Sequence, residues 1–122
     1  MKRDWDVVRE VLIEVESMPH EARTTFAYII GPDQTPDSRA RAEHALLLLQ
    51  GGYISGLDAS DLGGSTLLGP ELTWNGHDLL DTLRSKPVWD RIKSIAQEKG
   101  IELTFDAVKA LGAIALKAII RD

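Results

Sequence analysis

The sequence predicts a mostly α-helical protein with a small antiparallel β-hairpin or sheet, of the α+β class. Three observations carry that prediction. Apolar residues recur at helical spacing along most of the chain. One polar, glycine-bearing stretch at its centre separates two short β-like runs. A length of 122 residues, 43% of them hydrophobic and 27% charged, suits one compact domain with one modest core.

The elements follow in order. Asp4 is the N-cap of a first helix, with Asp6 in the first turn facing the positive helix end. Val7, Val8, Val11, Leu12 and Val15 line one side, and Arg9, Glu10, Glu14 and Glu16 the other. Pro19 stops this helix near Ser17. The β-branched and aromatic run Thr24 to Ile30 reads as a short strand. Asp33 to Asp37 reads as loop, and Asp37 or Ser38 as the cap of a second helix reaching about Gln50. Its apolar face is Ala42, Ala45, Leu46 and Leu49, widened by Leu47 and Leu48, and Gly51-Gly52 ends it.

Residues 53–73 read as a hairpin with a long tip, Asp58 to Ser65, and Pro70 places the returning strand at an edge or a bulge. Thr73 caps a third helix, Trp74 to about Arg84. Ser85 or Lys86, with Pro87, opens a fourth helix with the stripe Val88, Trp89, Ile92, Ile95 and Ala96, and Gly100 closes it. Thr104 caps a fifth helix that is apolar almost all round. The expected organisation is a single domain over 1–122, with residues 1–85 as a core and 86–122 as a C-terminal helical pair packed on it. A helix closing on Gly-Gly-Tyr-Ile and followed by a hairpin is the order of a winged helix-turn-helix. Only residues 31–37 leave room for the short helix that normally precedes the recognition helix.

Three stretches resemble the bacterial and phage family catalogued as domain of unknown function 2513. The first is Met1-Lys2-Arg3-Asp4 with the valine-rich helix and Glu14-Val15-Glu16. The second is His44 with Leu47-Leu48, then Gly52-Tyr53-Ile54. The third and most specific is Leu72-Thr73-Trp74-Asn75-Gly76-His77-Asp78-Leu79-Leu80-Asp81, followed by Val88-Trp89 and Lys93. Phe105-Asp106-Ala107-Val108-Lys109 also fits. The chain reads Gly51-Gly52-Tyr53 where the family usually has alanine, glycine and leucine. The resemblance implies a winged-helix-like fold and no catalytic residue set.

Charge divides the chain. Residues 1–85 carry 7 basic against 14 acidic side chains, a net of −7, whereas 86–122 carry 7 against 5. A field of the first sign repels phosphate backbones. No apolar stretch reaches membrane-span length, the charged N-terminus leaves no signal-peptide core, and cysteine is absent. A cytoplasmic protein without disulfides or thiolate sites is expected.

Arg39, Arg41 and His44 are the candidate contact residues, because they sit toward the N-terminal half of the helix in the recognition position. Asp37 and Glu43 share that region, and the hairpin tip has Asp58 and Asp61 but no basic residue. Trp74 and His77 share one helix face, as a recognition pair or metal ligand, or as a helix start packed on the hairpin with the imidazole bonded to a backbone carbonyl. Gly76 is explained by close backbone approach. His20, His44 and His77 lack ligand spacing, Gly63-Gly64-Ser65-Thr66 lacks the lysine of a phosphate loop, and no serine has a nucleophile setting, so no metal, cofactor or enzyme activity is expected. Trp89, Phe105, Leu111, Ile114 and Ile119 are core or interface, and dimerisation through the last helix is a further expectation.

Two functions follow. One is a non-enzymatic, acidic, winged-helix-like module that binds a protein partner as an accessory or inhibitory factor, encoded by a phage or mobile element. The alternative is a DNA-binding transcriptional regulator that uses the helix 38–50. Topology favours the second and charge the first.

Overall fold

A computed structural model describes residues 2–61 and 64–121, with side chains in the last helix described through residue 117. The architecture is α+β, mostly helical with one three-stranded antiparallel sheet. The chain divides into two compact units, Met1–His77 and Asp78–Asp122.

In the first unit, α1 (Trp5–Ser17) begins where the Asp4 carboxylate accepts from the Asp6 amide at 2.9 Å. It buries Val8, Val11, Leu12 and Val15, one turn apart on a single side. A helix that the sequence reading did not expect follows. Pro19 is extended, and α2 (His20–Arg23) forms a single turn after it. The Thr24 and Thr25 hydroxyls then donate back to the carbonyls of Glu21 and Ala22, which closes the turn. The strand expected over residues 24–30 is therefore shortened to β1 (Ala27–Ile30). β-Branching at Thr24 and Thr25 suggested strand, but local side-chain bonding to the backbone won.

α3 (Pro36–Gln50) starts earlier than expected. Thr35 is its cap and accepts from the Ser38 amide at 3.1 Å, and Pro36 occupies the first turn, where no amide donor is needed. No helix forms in residues 31–35. At the other end Gly52 takes the left-handed conformation, φ 81°, while the Gly51 and Tyr53 amides return to the Leu47 and Leu48 carbonyls.

β2 (Ile54–Asp58) and β3 (Ser65–Leu72) form the hairpin, and the sheet order is β1-β3-β2. β3 is thus the central strand. Pro70 is tolerated there because the β2–β3 register shifts between Ser55 and Leu57, so that Gly69-Pro70 face the single residue Gly56. Gly69 has φ 59° in this bulge. α1 packs on α3 and β3, and α3 packs on β1 and β2, so the core lies between the helix pair and one face of the sheet.

α4 (Trp74–Leu83) belongs to the first unit through His77 and to the second beyond it. Within the second unit, α5 (Lys86–Lys99) is capped by Ser85, carries Pro87 in its first turn, and stops at Gly100, φ 65°. It buries Val88, Trp89, Ile92, Ile95 and Ala96, the stripe read from the sequence. α6 (Phe105–Arg121) starts where the Thr104 hydroxyl accepts from the Ala107 amide; it packs on α5, and its Val108, Leu111 and Ala115 are buried. It is not covered all round: Ile114 and Leu116 are exposed.

Candidate functional site

α3 carries the residues singled out for contact, and the structure uses two of them internally. Arg41 reaches across to α1. Its guanidinium meets Glu10 at 3.2 Å and Glu14 at 3.5 Å, and its Nε meets Asp37 one turn earlier on α3 at 3.4 Å. The other oxygen of Glu14 accepts from the Tyr28 hydroxyl at 2.5 Å. One arginine therefore joins α1 to α3, and one glutamate extends the link to β1.

This arrangement shifts two groups. Burial pushes the Tyr28 phenol far above its ordinary value, and the Glu14 carboxylate, as hydrogen-bond acceptor and as negative charge, pushes it further. Burial works against the Arg41 charge, but Glu14 and Asp37 outweigh it and hold the guanidinium above its usual range. Beside the network lies an open cleft of about 620 Å³, walled by Ile13, Met18, Pro19 and Phe26 and rimmed by Glu10, Glu14 and Arg41.

His44 departs furthest from its expected surface role. It is only 3% exposed, and both ring nitrogens are engaged. Nε2 accepts from the Asp4 amide at 2.8 Å, and Nδ1 lies 2.7 Å from the Ala40 carbonyl. An acceptor at Nε2 assigns the proton to Nδ1, which donates to Ala40. The side chain fastens the start of α1 to the middle of α3. Arg39 is the exposed member of the trio, and its Nε pairs with Glu43 one turn on at 2.8 Å.

A second surface begins at the join of β3 and α4. The Thr73 amide donates to the Tyr53 carbonyl at 3.1 Å, and its hydroxyl donates to the Gly52 carbonyl at 2.6 Å while accepting from the Gly76 amide at 3.1 Å. Gly76 is pressed against the same turn: a Cβ there would stand 1.9 Å from the Tyr53 carbonyl oxygen. This is the close backbone approach expected of it. Trp74 projects from this fastening 83% exposed.

His77, one turn later, is also exposed, and its imidazole makes no hydrogen bond among the described residues. The expectation that it packs on the hairpin and bonds a carbonyl is thereby corrected. The buried partner of that turn is Gly76, so residues three apart on the far side face water.

The remaining candidates separate by burial. Trp89 is core, with the Lys93 ammonium 5.3 Å from its ring centroid. Leu111 is core, Phe105 is half-buried under Lys109, and Ile114 is at the surface. The side chain of Ile119 lies outside the described residues, as does Gly63 of the hairpin tip. In that tip Asp58 is held below the usual carboxylate range by bonds from the Ser60 hydroxyl and amide. Among the described residues, no three His, Cys, Asp or Glu side chains gather into a set that could hold a metal ion, and no helix is long and apolar enough to cross a membrane.

The Trp-Asn-Gly-His segment and the helix-to-turn fastening behind it lie within the part of the chain matched by a family model described as Hypothetical protein (DUF2513), residues 2–102. The chain belongs to this family. It is also similar to an uncharacterized protein of Haemophilus influenzae strain Rd, with 38% identity over 111 residues, 89% of this chain and 90% of that protein. No solved structure matches. The DUF2513 match takes in Arg41, His44, Thr73, Trp74 and Gly76 and ends before α6.

Proposed function

We propose that this DUF2513 protein is a non-catalytic, winged-helix-like interaction module, an acidic accessory or inhibitory factor that docks a protein partner through the surface around Trp74. The observation that carries this reading is the fate of α3. In a winged helix that reads DNA, the corresponding helix offers its polar side chains to base edges and phosphates. Here Arg41 is spent on Glu10, Glu14 and Asp37, and His44 is buried. Arg39 remains, already paired with Glu43.

Charge supports the same reading. Residues 1–77 carry 6 basic against 12 acidic side chains. Such a surface loses the phosphate neutralisation that supplies most non-specific DNA affinity, and it suits a basic protein face. Trp74 supplies the anchor: tryptophan is among the residues most enriched where binding energy concentrates, and a mostly exposed one on a rigid backbone pre-exists in its binding position. The sheet order β1-β3-β2, with α3 leading into the hairpin, supports the winged-helix-like reading.

The test has two arms. Titration of random duplex DNA at low salt is expected to give no salt-sensitive binding; such binding would favour the regulator reading instead. A tagged protein recovered from its native cells is expected to hold a partner that Trp74→Ala does not. Equal recovery by both would remove Trp74 as the anchor.

A further inference from the structure

α6 shows solvent a face with a definite pattern. At about 100° per residue, Asp106, Ala110, Ala113 and Lys117 fall within one narrow line along the helix. All four are exposed. Ile114 flanks this line on one side and Leu116 on the other, 55% and 49% exposed. The opposite line, Val108, Leu111 and Ala115, is the buried one. Lys109 leans over the Phe105 ring of its own helix, 5.3 Å from the centroid. The outward face therefore has a negative group near one end, a positive group near the other, and an apolar middle with two small residues. Beside Leu116 the surface continues into a groove of about 350 Å³ that includes Thr82, Val88 and Gly112.

We propose that this face is covered by the same helix of a second copy, running antiparallel. The charge pattern selects that occupant and that direction. In an antiparallel pair centred between Leu111 and Gly112, Asp106 stands opposite the partner's Lys117, and symmetry makes the contact twice. A parallel pair would set like charge on like. Ala110 and Ala113 lie at the crossing point, where small side chains let two helices approach to about 8 Å. Ile114 and Leu116 lose their water on either side of the seam. A patch that meets its own copy about a twofold axis gives a closed dimer. The proposal does not depend on the reading of Trp74.

The experiment is sedimentation equilibrium on the full chain, with circular dichroism confirming that each variant is folded. The wild type is expected to form a dimer at micromolar concentration. Ile114→Glu, on an exposed position, is expected to weaken it by at least about a hundredfold. Lys117→Glu should weaken it roughly tenfold, and Asp106→Lys combined with Lys117→Glu should restore it to within a few-fold of wild type, since the pairs are then reversed rather than lost. A wild-type monomer at high micromolar concentration overturns the proposal. So does a dimer indifferent to Ile114→Glu, or a double variant no tighter than Lys117→Glu alone.

Discussion

Gly76 faces the carbonyl oxygen of Tyr53 so closely that a Cβ at position 76 would stand 1.9 Å from it. The obstacle is backbone, held in turn by the hydrogen bonds that the Tyr53 amide donates to the Leu48 carbonyl and the Thr73 amide to the Tyr53 carbonyl, so it cannot swing aside as a side chain could. Gly76→Ala is expected to destabilise the protein by at least about 2 kcal/mol, the cost of overpacking a site that cannot relax. Urea unfolding checks this, and an unchanged midpoint would show that α4 can shift away from the turn.

His44 is expected to behave as a core residue. His44→Ala leaves the Asp4 amide without its acceptor and opens a hole beside the α1 start, for a loss of about 2–4 kcal/mol. Thermal unfolding of that variant beside Arg39→Ala separates the two roles. Arg39 is a surface ion pair, and its removal should cost less than about 1 kcal/mol.

The Tyr28 phenol gives a pH signature. Its proton is held more tightly in the folded chain than in the unfolded one, where the value is 10.0. Its contribution is therefore complete below about pH 10 and is lost as pH rises beyond it, at up to about 1.4 kcal/mol per pH unit. Tyr28→Phe is expected to be less stable at neutral pH but to lose less between pH 10 and 12. Parallel slopes for the two proteins in that window would contradict the assignment.

Trp74→Ala is expected to leave stability within about 0.5 kcal/mol of wild type, because so little of the side chain is buried. It should also remove the longest-wavelength part of the tryptophan emission, since of the other two tryptophans Trp89 is buried and Trp5 half-buried. A large stability loss would show that the indole belongs to the fold and would weaken its reading as an anchor.

The parts of this fold legible in the sequence were those written in local chemistry. The valines of α1, the Asp4 cap, the glycine stop after α3, Thr73 at the start of α4, and Gly76 as a point of close approach could all be read from spacing and residue type. Residue type alone places the α3 cap two to three residues late, because Thr35 precedes an equally good Asp37 and Ser38. α2 is not legible, because a single turn leaves no periodicity.

The fate of Arg41 was out of reach for a different reason. Its partners Glu10 and Glu14 lie 31 and 27 residues away, and no local pattern announces a long-range ion pair. His44 left a trace that could have been used. It sits four residues before Leu48 and beside Ala45, on the face that buries both. A polar residue on that stripe pointed inward, although its partner, the Asp4 amide, did not show.

The turn formed by Gly52, Tyr53, Thr73 and Gly76 has one more consequence. It fixes position 74 with main-chain atoms and one hydroxyl, and no part of it uses the indole. The fold thus builds a pedestal whose occupant it does not choose. A leucine, an arginine or a tyrosine would be held out at the same point and angle. Under the proposed docking through Trp74, variation at 74 on an otherwise unaltered frame would record what the partner demands, and a set of such variants would be a direct way to retune which partner is taken.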